Sequence, residues 1–309
     1  HMEDPIKEVA ALQYTGSYHP NVLGYLEVLQ DDNYLYTIMP YCTGGDLYSN
    51  IMADQVLSNL EKPIRSTVRI PNEEQVRVWF GQLLQGLFHM QKKGICHRDL
   101  SLENLLLDEC GDLVISDLGL ALRVPYTDAS NPGCVSDVSE GSQRLLIQAQ
   151  GQCGDLVYMA PEVIERDDAF DGFALDLWAS GVILFICLVG RAPFRWAHPT
   201  DVRYSLIAKG KLAELMRDLD IPLSSEACHL MQNMLLRDPR KRPTLAQVMN
   251  HPWVVGRKAL GLVAPEPSTT HGNTWPLNAP RTSDAVCKPP LAPSSIKKSL
   301  NPAPCQPRL

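Results

Sequence analysis

The sequence predicts an α+β fold, with short strands gathered before residue 116 and helices filling most of the chain from there to residue 255. Three observations carry that prediction. Residues 22–29 and 34–39 are apolar or aromatic runs separated by Asp31-Asp32-Asn33, a turn-type cluster. Leu105–Leu107 and Leu113–Ile115 repeat the pattern around the polar turn 108–112. Between these pairs, Val76, Trp79, Phe80, Leu83, Leu84, Leu87 and Phe88 recur at helical spacing on one broad face, the pattern of a helix buried in a bundle.

The remaining elements follow in order. Ile6, Val9, Ala10 and Leu12 place a short helix over 5–14, which Gly16 and Pro20 end. Residues 40–45 form an irregular connector, and 46–52 begin helically before fading into a polar insert that runs to Pro71. Asn72 caps the next helix, with Gln75 completing a capping-box pattern. Residues 124–152, rich in Ser, Gly, Asp and Pro, read as a mobile loop. Helices resume at Pro161 and continue past His251. Residues 177–190 are strongly apolar but too short to span a bilayer, so a buried helix and no membrane segment are expected. Beyond residue 255 the periodicity stops. Residues 256–309 read as a disordered, Pro- and Ser-rich tail carrying Lys297, Lys298 and Arg308, an unconstrained segment first and a binding site for a partner module only as the alternative.

The chain's 309 residues carry a formal charge of -7, which argues against nonspecific nucleic-acid binding, because a phosphate backbone needs a positive face. Nine cysteines occur without a C-x-x-C pair. Together with a polar, leaderless first segment they suggest reduced thiols and a cytoplasmic location.

The chemistry concentrates between residues 97 and 119. Asp99 and Asn104 lie five residues apart, and Asp117 follows Asp99 by eighteen. The Leu105–Ile115 hairpin would bring all three to one mouth. An acidic base, an amide and a second carboxylate in this arrangement suit phosphoryl transfer from a metal-bound nucleotide. The runs His97-Arg98-Asp99-Leu100-Ser101-Leu102-Glu103-Asn104 and Asp117-Leu118-Gly119 resemble the catalytic loop and magnesium loop of the eukaryotic protein kinases. The resemblance implies Asp99 as catalytic base, with Ser101 and Asn104 beside it in the catalytic group, and Asn104 and Asp117 as magnesium ligands. It also implies His97 as a hydrogen-bonding support and Arg98 as a receiver for an acidic or phosphorylated segment.

The similarity extends over residues 6 to 255. Met39-Pro40-Tyr41-Cys42-Thr43-Gly44-Gly45-Asp46 resembles the kinase hinge, with Met39 as gatekeeper, Pro40 and Cys42 offering backbone groups to adenine, Asp46 facing the ribose, and Leu106 completing the nucleotide set. Met159-Ala160-Pro161-Glu162 is similar to the end of the activation segment. Asp176 resembles the residue that holds the catalytic-loop backbone, and Arg242 the arginine that pairs with Glu162. The resemblance implies a two-lobe kinase-like fold, with 1–39 as a remnant of the small lobe, 40–45 as hinge and 46–255 as a mainly helical large lobe. It further implies ATP and Mg2+ as cofactors and a protein bearing a Ser or Thr acceptor as substrate.

Three departures bear on activity. No G-x-G-x-x-G run occurs, and the lysine expected to precede Glu8 is missing, so the small lobe reads as incomplete. Ser101 stands where serine/threonine kinases carry lysine. Asp155 stands where they carry threonine, which predicts a like charge near Asp99 that raises a carboxylate pKa. Two functions therefore compete: a protein serine/threonine kinase, and a pseudokinase that binds or scaffolds without phosphotransfer. Thr127, Ser130, Ser136, Ser139 and Ser142 are candidate phosphorylation positions opposite Arg98.

Overall fold

The computed structural model describes residues 5–16, 18–51, 71–127, 134–136, 143–148, 154–165 and 169–256. Most of the polar insert and the tail beyond residue 256 lie outside these ranges, as do Ser130, Ser139 and Ser142.

Helix α1 (Pro5–Thr15) forms as its periodicity predicts and buries Leu12 and Thr15, with Glu8 half-buried in its first turns. Strands β1 (Glu27–Gln30) and β2 (Leu35–Ile38) pair antiparallel, Glu27 opposite Ile38 and Gln30 opposite Leu35. The strand expected over 22–29 thus starts later. Val22 bridges Ile115, and Leu23 N donates to Ile115 O at 2.7 Å, so the first part of the run is tied to a distant element. Residues 47–51 are helical.

Helix α2 (Glu73–Lys92) is capped by Asn72, whose side chain accepts from Gln75 N, and it buries Val76, Phe80, Leu83, Leu84, Leu87 and Met90. Its Gly86 allows close approach: a Cβ there would lie 2.6 Å from Asn21 O. Strand β3 (Ile95–Cys96) then leads to the loop that carries Asp99. Strands β4 (Leu105–Leu107) and β5 (Leu113–Ile115) form the expected hairpin, with Leu106 opposite Val114.

Past β6 (Leu122–Arg123), which pairs with β3, the segment read as a loop contains strands β7 (Tyr126–Thr127), β8 (Cys134–Ser136) and β9 (Gln143–Leu145). They form a three-stranded sheet in the order β7-β9-β8, a pairing that its Ser- and Gly-rich composition conceals. Strand β10 (Ile147–Gln148) pairs with β11 (Ala169–Phe170), and α3 (Pro161–Ile164) lies between them in sequence.

The apolar helix α4 (Gly172–Val189) is buried along its whole length, which identifies its composition as that of a core helix. Asp171 caps it, and Gly190 ends it with φ 76°, a left-handed turn that glycine adopts without a Cβ penalty. Helices α5 (Val202–Ala208), α6 (Leu212–Asp218) and α7 (Ser225–Met234) follow it, and α7 packs on α4. Helix α8 (Leu245–Met249), with a full capping box at Thr244 and Gln247, and α9 (Pro252–Val255) close the described chain. Cys42, Cys96, Cys187 and Cys228 are free thiols, whereas Cys110 is disulfide-bonded, so the cysteines do not by themselves argue for a reducing compartment.

Candidate active site

The loop between β3 and β4 is held from below. Asp176, buried on α4, accepts His97 N at 2.7 Å and Arg98 N at 2.8 Å. His97 is fully buried, and its Nδ1 accepts Asp99 N at 3.3 Å while Nε2 reaches Ser116 O at 2.9 Å. Accepting at Nδ1 leaves the ring proton on Nε2, so a neutral imidazole donates to the carbonyl just before Asp117. The non-glycine residues with positive φ among those described are Arg98 (71°), Asp117 (59°) and Asp220. Two of these flank the candidate chemistry, where strained backbone is commonly stored.

Asn104 ties the group together. Its Nδ2 donates to Asp99 O at 2.8 Å and approaches the Asp99 carboxylate at 3.4 Å. Ser101, buried, accepts Asn104 N with its hydroxyl at 3.4 Å, and Asn104 O accepts Ser116 N at 2.9 Å and Ser116 Oγ at 3.0 Å. The β4–β5 hairpin therefore brings Asp99, Asn104 and Asp117 to one end, as its sequence predicts, and Ser101 joins them through Asn104 N. Asp117 Oδ1 accepts Gly119 N at 3.0 Å, which leaves its second oxygen for another partner.

The Asp99 carboxyl is pushed up from its ordinary pKa, first by burial and next by the charge of Asp117. The Asn104 hydrogen bond opposes this, and Glu103 and then Asp155 add smaller upward pushes. The expected like-charge effect of Asp155 is thus present but is the weakest of these. Its exposed carboxylate accepts Val157 N at 3.1 Å. Sequence reasoning missed Gly154 just before it: φ there is +83°, and a Cβ would sit 2.6 Å from Asp99 Oδ1. Only a glycine can cover the carboxylate so closely. The position of Gly154, five residues ahead of Met159, was the available signal.

Residues 44–46, at the end of the expected hinge, join this site through the sheet. Gly44 N donates to Leu107 O at 3.0 Å, Leu107 N donates to Gly45 O at 2.9 Å, and Asp46 bridges Leu106. Leu105 and Leu107 point into the core while Leu106 stays half-exposed, on the opposite face of the strand. Met39 is partly exposed, Pro40 is exposed, and Cys42 is a half-buried thiol whose pKa burial raises. These three connect to the Asp99 group only through the chain and the Gly44–Leu107 pairing among the described bonds. Asp46 uses both carboxylate oxygens on Ser49, at 2.7 Å to N and 2.8 Å to Oγ, so a ribose hydroxyl would share them.

A second support lies behind the site. Arg242 grips Glu162 with two bonds of 2.7 and 2.6 Å, both side chains buried, and lies 4.8 Å over the Trp178 ring. Tyr158 carries the end of the 154–160 segment onto the 97–104 loop, its hydroxyl accepting Leu102 N at 3.4 Å.

The protein kinase domain model matches residues 2–254. The chain belongs to the protein kinase family. A kinase domain has a two-lobe fold, and the α+β content of this chain agrees with that. Similar curated proteins include CBL-interacting protein kinase 31 of Oryza sativa subsp. japonica, 32% identical over 76% of this chain and 44% of that protein. Sperm motility kinase 2A of Mus musculus is 32% identical over 76% of this chain and 39% of its own length. Serine/threonine-protein kinase SRK2I of Arabidopsis thaliana is 32% identical over 76% and 56% respectively. The kinase chain therefore spans 39 to 56% of the length of these relatives.

Proposed function

We propose that this chain is a protein serine/threonine kinase that moves the terminal phosphate of ATP to a protein hydroxyl. The observation that carries the reading is the Asn104 amide nitrogen, which spans the backbone and carboxylate of Asp99 while Ser116 fastens the Asn104 backbone carbonyl beside Asp117. The donor set fits a hard cation. Asn104 spends its Nδ2 on Asp99, which leaves the amide oxygen, and Asp117 keeps one oxygen. Magnesium is commonly held by one or two protein oxygens plus substrate phosphates, and when bound it would neutralise the polyphosphate charge.

Asp99 would orient the acceptor hydroxyl and take its proton as the oxygen bonds to the terminal phosphorus and the bond to the leaving diphosphate breaks. A carboxyl raised by burial holds that proton better. Half-exposed Leu106 would form the floor beneath adenine, with Met39 behind it and the Pro40 and Cys42 backbone along its edge. The relatives named as serine/threonine kinases support the acceptor class.

The small lobe as it stands lacks a Gly-rich loop, and Leu29, Tyr36 and Ile38 on the β1–β2 ribbon remain exposed. Both features support an incomplete small lobe. We place the reaction in the cytoplasm, where ATP is plentiful; the four free thiols agree with that and Cys110 does not. The opposing reading, a scaffold without phosphotransfer, draws on Ser101, which brings no positive charge to the phosphate.

The deciding experiment titrates the chain with ATP and Mg2+ by calorimetry and follows label transfer to Ser- and Thr-containing peptides. The kinase reading expects metal-dependent binding and transfer that Asp99→Asn abolishes while binding persists. Binding without any transfer would establish the scaffold; absence of both would refute the nucleotide site.

A further inference from the structure

Helices α7 and α9 meet through two histidines. His229 Nδ1 and His251 Nε2 are 2.9 Å apart, with the rings 17° from parallel. His251 is also the N-cap of α9, its Nδ1 accepting Trp253 N at 3.2 Å. These two contacts assign the tautomers. Nδ1 of His251 must be bare to accept, so its proton sits on Nε2 and is donated to a bare Nδ1 on His229. The His229 proton is then on Nε2, so Asn233 Nδ2, 3.1 Å from that nitrogen, cannot donate to it and donates to the His229 carbonyl at 2.8 Å.

No lone pair among these bonds remains for another proton. Protonating His251 at Nδ1 expels the Trp253 N–H. Protonating His229 at Nδ1 sets two N–H groups face to face. If His229 becomes the donor instead, a neutral His251 must carry its proton on Nδ1, and the cap is again lost. One proton therefore costs one of the two hydrogen bonds.

The cap guards an anchor. Trp253 is buried, donates Nε1–H to Glu73 Oε1 at 2.7 Å, and packs edge-on against Phe80. Arg77 lies 5.1 Å over its ring and donates to its carbonyl at 2.7 Å, so α9 is fastened to α2. The charged groups around the pair come from both neighbours. Burial, and next the His229 ring, hold the His251 pKa below its ordinary value, and Glu226 on α7 opposes them. From α2, Glu73 and Arg77 are engaged with Trp253, and Glu73 also accepts the Ser224 hydroxyl at 3.0 Å. Helix α8 (LAQVM) contributes no charge.

We propose that His229 and His251 form a proton-sensitive latch, in which the neutral pair caps α9 against α2 and uptake of one proton releases it. The latch is independent of phosphotransfer. Because His229 is exposed, the proton needs no path through the core.

Amide hydrogen exchange of residues 253–256, measured on the whole chain at pH 7.5 and 5.5 and corrected for intrinsic rates, tests it. The wild type should lose protection by up to about tenfold at the lower pH, the limit for one proton taken up by a group of ordinary histidine pKa. His251→Asn keeps a strong N-cap but cannot titrate, so its protection should be equal at both values. His229→Gln, a second variant that relieves the ring–ring repulsion, should move the loss to higher pH. Equal wild-type protection at both values, or an Asn variant that keeps the wild-type pH dependence, would overturn the latch.

Discussion

Asp176→Asn should disable the catalytic loop while leaving stability nearly unchanged. The carboxylate accepts two N–H bonds, from His97 and Arg98. Bonds to an ionised acceptor contribute about 1.5–3 kcal/mol each, and an orphaned buried donor costs about 1–3 kcal/mol. Asparagine keeps one bond and turns its NH2 toward the other donor. In compensation, it has no charge to desolvate. Burial lifts the Asp176 carboxyl from 3.8 to about 6 despite both bonds. That shift corresponds to about 3 kcal/mol against the ionised form at neutral pH.

Loss and relief are thus similar in size, and the variant should lie within about 2 kcal/mol of wild type at pH 7.5. The pH dependence gives the sharper test. A carboxyl raised in the folded state contributes stability below its unfolded pKa and loses it as pH rises through about 6. Between pH 7.5 and 5 the wild type should therefore gain about 1.4 kcal/mol on the variant, read from paired urea melts. Transfer by the variant should fall at least about a hundredfold, since a small misplacement of reacting groups can cost that much. Parallel melts at both pH values, or a variant with full transfer, would refute the account of Asp176 as a buried ion kept for geometry.

Glu162→Gln leaves the Arg242 charge buried without its partner and should cost about 3–5 kcal/mol, seen as a lower urea midpoint with an unchanged slope. Gly44→Ala would place a Cβ 2.6 Å from Leu107 Cβ. It should destabilise by about 1–3 kcal/mol and weaken nucleotide binding in the same calorimetric assay. Asp155→Thr removes the weakest of the upward pushes on Asp99, so the acid limb of the transfer profile should move slightly down and the rate rise by less than about tenfold. No movement of the limb would contradict a like-charge role for Asp155.

The parts of the site carried by local pattern were legible in the sequence. The β4–β5 hairpin stands at its expected residues, because apolar runs and a polar turn specify it within eleven residues. The Asp176 and Arg242 contacts followed from the family resemblance. What escaped depends on distant partners. The strand read over 22–29 begins at Glu27 because Val22 and Leu23 bond to β5, some ninety residues away in sequence. Gly154 over Asp99 and the self-contained cap of Asp46 are likewise tertiary or conformational facts that side-chain identity does not announce. The β7–β9–β8 sheet was hidden because its two- and three-residue strands lie in Ser- and Gly-rich sequence, without the apolar runs that mark the equally short β4 and β5.

Backbone pairing of Gly44 and Gly45 with Leu107 has a mechanical corollary. It rivets the downstream end of the connector to the same sheet that presents Asn104 and Asp117. Any swing of the β1–β2 ribbon toward Asn104 and Asp117 must then be absorbed upstream of that rivet. The pivot falls on residues 39–42, where Tyr41 stands 88% exposed. Opening and closing would leave Asn104 and Asp117 undisturbed.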